Sequence, residues 1–456
     1  MINFKEEVLK RKDDMIADLQ TLIRFKSELT SYDPTRVQAP FGESIRETLE
    51  WFLSLAKKDG FETLNVDGYA GHIILGSQKT FVGSIGHLDV VPAGNGWEHD
   101  PYGAEIIGNL MYGRGTQDDK GPTIAVYYAM KILKELGLEL KHAIKLILGT
   151  DEETGWRGVE HYFKKFPEAP VSGFIPDADF PLIYAEKGIS RINIKVPLSD
   201  SDIVTMTGGF RDNMVPDFAK VSLKTSKDYQ TLFNQYLLDN RLKGDIEQDE
   251  DLITLTVHGK SAHGSLPHEG INAIDLMMKF LIDHEKSTFT SLYNKYLYND
   301  LYGKKMSIYH EDEEMGPTTA NVGVINISNG EALIYLNYRY PFGIEFDDVV
   351  HRIKDSFGDT YVSVDHHKAI IYNDPNSPLV QTLLSVYQEH TGDTNSKPFS
   401  IGGGTFARAM PNVVAFGAHF LNTPTNIHQP EEFINIDHLI TATIIYTDAL
   451  YRLATQ

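Results

Sequence analysis

Cysteine is missing altogether from the 456 residues. That absence removes disulfides, thiolate metal sites and cysteine nucleophiles together. Long apolar runs are missing too: no stretch reaches the ~18 uninterrupted apolar residues that a membrane-crossing helix needs. Positive charge is scarce. Lys and Arg number 42 against 63 Asp and Glu, a formal net charge of −21, which disfavours nonspecific binding to nucleic acid or to an anionic membrane. HExxH, P-loop and serine-hydrolase motifs do not occur. The opening "MINFKEEVLKRKDDMIADL" carries a charged amphipathic helix pattern and not a secretory leader. A soluble, cytoplasmic protein is expected.

What is present is globular, and too long for one ordinary core, so two domains are expected. Apolar positions at helical spacing cover residues 3–28 and 43–59. Next, "HIILG" and "FVGSIGH" read as strands, "GPTIAVYYAMKILKELGL" as a helix ending near Gly137, and "HAIKLILG" and "SGFIPDAD" as further strands. This order predicts an α/β fold, a mostly parallel sheet with helices on both faces. Beyond Glu186 the texture becomes α+β. "SRINIKVPL", "LITLTVHG", "ANVGVINI" and "ALIYLNYRY" look like amphipathic strands, and helical patterns lie at 269–285 and 345–356. Helices at 377–391 and 436–454 around "VVAFG" belong with the first texture. The expected organisation is a discontinuous catalytic domain, 1–187 plus 369–456, with a lid domain inserted at 188–368.

Ligands of an open α/β sheet bind beyond the carboxyl ends of its strands. His87 and Asp89 follow "FVGSIG", the acids Asp151, Glu152 and Glu153 follow "IKLILG", and Asp177 follows "SGFIP". Asp118 and Asp119 lie in the glycine-rich "YGRGTQDDKGPT". Four segments thus bring acids or imidazoles to one predicted rim, where like charges would repel unless a cation sat among them. Imidazole with carboxylates and no sulfur suits zinc, manganese or cobalt, and suits calcium poorly. The carboxylates are too many for one tetrahedral ion but would serve a pair sharing a bridge. Two residues beyond His87, Asp89 can orient that imidazole by accepting its other ring N–H. Plainer readings exist for each piece: a structural strand-end histidine, a solvated helix N-terminus at "DDKG", a capping box at "DEET" with Asp151 as cap. All of them falling together on one rim is the less economical account.

Five segments, "GHLDVVPAG", "YGRGTQDDKGP", "GTDEETG", "FIPDADFP" and "NIHQPEEFI", resemble in type and order the motifs of the M20 family of co-catalytic metallopeptidases. Within it, the chain is similar to the bacterial PepV-type dipeptidases, a carnosinase-like branch, along essentially its whole length. The resemblance implies two divalent ions, zinc first and manganese as the alternative. His87 and Asp177 would hold one, Glu153 and His428 the other, and Asp118 would bridge them, with a cis peptide bond to the next residue. Glu152 would be the general base, Asp89 the orienter of His87, and Asp151 a turn or cap residue. His428 enters only through the resemblance.

In the lid, the plain reading of "VHGKSAHGSLPHEGINAI" is a strand–turn–helix connection, and that of Arg339 a solvent-facing arginine. The resemblance instead implies His263 on the scissile carbonyl oxygen, Arg339 as a two-pronged carboxylate binder, Asn213 fixing the substrate, and Gly403 bringing backbone to its carboxyl end. The run "IGGGTFAR" around Gly403 is expected to return to the catalytic domain. His366 and His367 are expected at the surface. The implied activity is dipeptide hydrolysis on a small peptide substrate. The long lid points to a monomer, with residues around 198–250 supplying what a second subunit gives shorter relatives. An N-acyl amino acid deacylase of the same fold is the alternative, and a non-catalytic metal-binding protein a further one.

Overall fold

The structure is a computed structural model and describes residues 2–224, 227–249, 251–358 and 361–456. The chain divides into two compact units, Met1–Tyr184 with Tyr372–Phe399 and Thr405–Gln456, and Ala185–Ile371 with Ser400–Gly404. The glycine run is therefore split. Ser400–Gly404, expected in the first unit, packs with the second, where the Lys187 N–H donates to the Ile401 carbonyl at 3.0 Å.

The first unit is built on a mixed sheet. Ala143–Gly149, Phe81–His87, Ser172–Ile175 and Val413–Ala415 lie side by side and parallel. Antiparallel strands extend this centre. Ala70–Leu75 and Glu62–Val66 continue one side, and Ile183 pairs antiparallel with Ala415 on the other. The strand Phe81–His87 is buried at every position, as a sheet covered on both faces requires. Consecutive residues of Ala70–Leu75 show the two covers, because alternate side chains point oppositely. A Cβ on Gly71 would meet Leu49 and Leu53 of the helix Glu43–Lys58, whereas His72 contacts Tyr162 of the helix Arg157–Lys165. The helices Lys120–Glu135 and Ile436–Thr455 pack against each other and against Phe81–His87. No helix among the described residues is long and apolar enough to cross a membrane.

The second unit is an eight-stranded antiparallel sheet. Its order is Gly244–Asp249, Leu252–His258, Phe218–Lys224, Ile203–Gly208, Thr319–Ser328, Glu331–Tyr340, Gly188–Pro197, Val362–Lys368. Its core gathers Ile192, Val221, Leu255, Ile325, Ile334, Leu336 and Tyr338 from the strands with Tyr229, Phe233, Met277, Phe280, Val349 and Ile353 from the helices. His366 and His367 lie exposed on the edge strand Val362–Lys368.

His72 is a buried imidazole whose Nδ1 lies 2.8 Å from the Tyr162 hydroxyl. Burial first, and the charge of Lys145 second, bring it down from 6.5 to about 4. On acidification the unfolded chain takes up this proton near 6.5, while the folded ring refuses it until about 4, so the neutral ring's contribution is complete above that window and declines through it. His72→Gln, which keeps a hydrogen-bond partner for Tyr162, should flatten the dependence of Tm on pH between 6.5 and 4 relative to the parent protein.

Candidate active site

The sequence-predicted residues of the first unit meet at the carboxyl ends of its parallel strands. His87 closes its strand, Glu152 and Glu153 lie in the turn after Ala143–Gly149, and Asp177 follows Ser172–Ile175. Asp118 precedes the helix Lys120–Glu135, and His428 comes from the loop before Phe433–Asn435. The Asp118 carboxylate is central. Its Oδ1 is 2.9 Å from His87 Nε2 and its Oδ2 is 2.9 Å from His428 Nε2. Beyond the first imidazole, Asp177 Oδ2 lies 3.7 Å from His87 Nε2; beyond the second, Glu153 Oε1 lies 3.0 Å from His428 Nε2. The peptide bond Asp118–Asp119 is cis.

These donors fit divalent cations. Donors on one tetrahedral ion stand roughly 3.3 Å apart when metal–ligand bonds are about 2.0–2.2 Å, and the separations found bracket that value. One set of His87, Asp118 and Glu153 brings its ligand atoms within 4.8 Å of one another. The acids also draw positive charge. Burial alone would lower His428, but Asp118 and Glu153 lift it to about 10. Burial, reinforced by Asp118, pushes Glu153 up to about 7. Burial likewise raises Glu152 well above the ordinary carboxyl value; the charge of His87 opposes this and that of Glu153 adds to it. Glu152 Oε1 accepts the indole N–H of Trp156 at 3.1 Å.

Asp89 stands beside His87 as expected but faces it with a different group, and the plainer alternative for "DDKG" also fails. His87 Nδ1 lies 2.9 Å from the backbone carbonyl of Asp89 and 3.6 Å from its carboxylate. The strand ends at His87, so its alternation does not extend to Asp89. The Asp89 carboxylate instead accepts the backbone N–H of Glu152 and of Glu153, each at 3.1 Å. Nor is "DDKG" a solvated helix start, because Asp118, Asp119 and Lys120 are all buried. The Lys120 ammonium donates to the carbonyls of Leu22 and Phe25 at 3.2 and 2.8 Å, and burial brings it down to about 7. Asp151 holds the turn before the helix Arg157–Lys165, whose N-cap is Trp156: its carboxylate accepts the Arg157 backbone N–H at 3.0 Å and the Arg157 side chain through two contacts of 2.7 Å.

In the second unit, Arg339 and the segment of His263 meet Ser400–Gly404, and Asn213 is tied to that segment. Met214 bridges His263, and the Gly264 N–H donates to the Asn213 carbonyl at 2.7 Å. His263 is exposed, with Nδ1 2.5 Å from Ser265 Oγ. A Cβ on Gly402 would lie 2.9 Å from that of Ser265, and Arg339 Nη1 donates to the Gly402 carbonyl at 2.5 Å. Gly403 is half-buried beside Ile401. Arg339 is 3% exposed, so it is not a solvent-facing arginine.

A family model described as peptidase family M20/M25/M40 matches residues 84–452. The chain belongs to this peptidase family. A "Putative dipeptidase" of Staphylococcus epidermidis is 37% identical over 470 residues, spanning 99% of this chain and 100% of the relative. A Staphylococcus aureus protein of similar name has the same identity and coverage. Among solved structures, human carnosine dipeptidase 1 superposes with a TM-score of 0.61 at 16% identity, covering 99% of this chain and 98% of that one. The di-peptidase Dug1p of Saccharomyces cerevisiae gives 0.60 at 14% identity, with 99% and 98% covered. At such identities the two structures speak to the fold.

In this M20 site, sequence reasoning assigns no role to Glu432 or Arg114 and gives Asp119 only a place on the rim. Glu432, fully buried, accepts the backbone N–H of Gly115 at 3.0 Å and of Gln117 at 2.9 Å, and pairs with buried Arg114 at 2.5 Å. It thereby fixes the loop that carries Asp118. Asp119 accepts the His87 backbone N–H at 3.0 Å and the Thr123 hydroxyl at 2.9 Å. Only the position of Glu432 inside the "NIHQPEEFI" motif hinted at a task for it.

Glu432→Ala would strand the Arg114 charge and several N–H groups. Losing one partner of a buried pair costs about 3–5 kcal/mol. Urea unfolding followed by tryptophan fluorescence should show that loss, because Trp51, Trp97 and Trp156 all lie in the first unit. Adding Arg114→Met should recover part of it.

Proposed function

We propose that this M20 peptidase hydrolyses the peptide bond of dipeptides with two divalent metal ions, zinc first and manganese as the alternative. The observation that carries this is the clasp of Asp118 between His87 and His428, each imidazole backed by a further acid. His87 and Asp177 would hold one ion, His428 and Glu153 the other, and Asp118 both. When bound, the pair supplies an activated water and polarises the substrate carbonyl.

The chain's own residues do the remainder. Glu152 takes the proton of the attacking water and passes it to the leaving amine. Its raised affinity for a proton, set first by burial, suits a group that must carry one between two steps. The indole of Trp156 and the Asp89 clamp on its backbone hold it in place. Asp89 also orients His87, through its carbonyl. His263 donates to the developing oxyanion, a contact of the kind worth about 10²–10³ in rate. Arg339 holds the substrate carboxylate, with Asn213 and the Gly403 backbone fixing the remainder of the molecule. The relatives named as dipeptidases support the substrate class. The enzyme is proposed to work as a cytoplasmic monomer on small peptides, without nucleic acid or membrane, with 1–187 and 369–456 as catalytic domain and 188–368 as lid.

Glu152→Gln should retain metal and lose about 10²–10⁴ in kcat, whereas Glu153→Ala should lose metal as well, read by metal analysis after dialysis. Equal metal content in the two variants would contradict the assignment. Kinetics on a panel of dipeptides against N-acetyl and N-succinyl amino acids, with zinc, manganese and cobalt, should show turnover of dipeptides; preference for acyl substrates would make the protein a deacylase.

A further inference from the structure

From Leu336 onward the strand Glu331–Tyr340 is buried on both sides, for two different reasons. Ala332, Ile334, Leu336, Tyr338 and Tyr340 join the apolar core of the second unit. By strand alternation, Asn337 and Arg339 lie on the opposite face, yet they are only 2% and 3% exposed. Polar groups buried so deeply must be hydrogen-bonded, and these are bonded to one another. Arg339 Nε donates to Asn337 Oδ1 at 2.9 Å, and Asn337 Nδ2 donates to Asp212 Oδ2, also at 2.9 Å. Asp212 directly precedes Asn213. The turn is secured from the neighbouring strand as well, where Asn321, paired in register with Asn337, donates to the carbonyls of Asp212 at 3.2 Å and Met214 at 2.7 Å.

We propose that Asn337 is a positioning residue, joining the Arg339 guanidinium to the Asn213 turn and thereby setting the preference for substrates with a free C-terminal carboxylate. An amide suits this place because it accepts from the guanidinium with its oxygen and donates to the carboxylate with its nitrogen. Alanine would do neither. The guanidinium fork would then lose the bond on its Nε and keep that of Nη1 to the Gly402 carbonyl, and a two-pronged carboxylate contact depends on the plane these bonds set. The inference rests on Arg339 as the carboxylate binder.

The test compares kcat/KM for one dipeptide and for its C-terminal carboxamide, expressed as a ratio, in the parent enzyme, Arg339→Ala, Asn337→Ala and the double variant, with metal content measured throughout. The ratio should collapse in Arg339→Ala. In Asn337→Ala it should fall roughly tenfold, the scale of a hydrogen bond to a charged group, mainly through a higher KM for the acid, with metal content unchanged. The double variant should fall little further than Arg339→Ala. A parental ratio in Asn337→Ala beside a collapsed one in Arg339→Ala overturns the role of Asn337, as does an equal loss on acid and amide. A parental ratio in Arg339→Ala overturns the carboxylate assignment itself, and the proposal with it. If Asn337→Ala does not fold, Asn337→Ser, too short to span the two partners, is read by the same ratio.

Discussion

One carboxylate, that of Asp118, faces an imidazole with each of its oxygens, and much of the first unit is arranged so that it can. Burying several acids and the His87 imidazole at one strand rim, with the more exposed His428 at its edge, costs several kcal/mol per buried charge unless the groups are paired. The surroundings meet most of that requirement, with Arg114 Nε and Asp119 Oδ1 left unpartnered among the described residues. Glu432 gathers the N–H groups of the loop ahead of Asp118 and is itself paired with Arg114. Lys120 is anchored on two carbonyls, and Asp119 ties the following helix to the backbone of His87. Asp89 fixes Glu152 and Glu153 through their N–H groups, leaving both side chains available.

The layout of this site was largely legible in the sequence, because strand periodicity and strand-end acids are local signals. Apolar runs located the parallel strands, and the acids after them fell on one rim. His428 was different: nothing near it signals a ligand, and only the family resemblance supplied it. The role of Asp89 was half legible. Alternation placed it near His87, but the strand stops before it, and the N–H groups it accepts belong to a turn more than sixty residues away. Glu432 was legible only as a member of its motif, and Asn337 not at all. A glutamate beside another glutamate, or an asparagine in an amphipathic strand, looks like surface until distant segments fold over it.

The second unit shows the same limit. Strand patterns gave its sheet and its apolar face, and the resemblance gave Arg339 a task, but neither described the rest of the opposite face. That face carries a buried polar chain from Asp212 through Asn337 to Arg339 and on to Gly402. The glycine run follows this bonding. Sequence order would return it to the first unit, whereas the hydrogen bonds of Lys187 and Arg339 retain Ser400–Gly404 in the second.

The pair between Arg114 and Glu432 also bears on the order of synthesis. Between the two residues the chain makes the whole of Ala185–Ile371. A nascent chain that has completed His87, Asp118, Glu153 and Asp177 still lacks His428 and the acid that fixes the Asp118 loop. The residues that would complete a metal centre are thus divided by the second unit: a fragment ending before Ala185 carries four of the five candidate ligands but neither His428 nor Glu432.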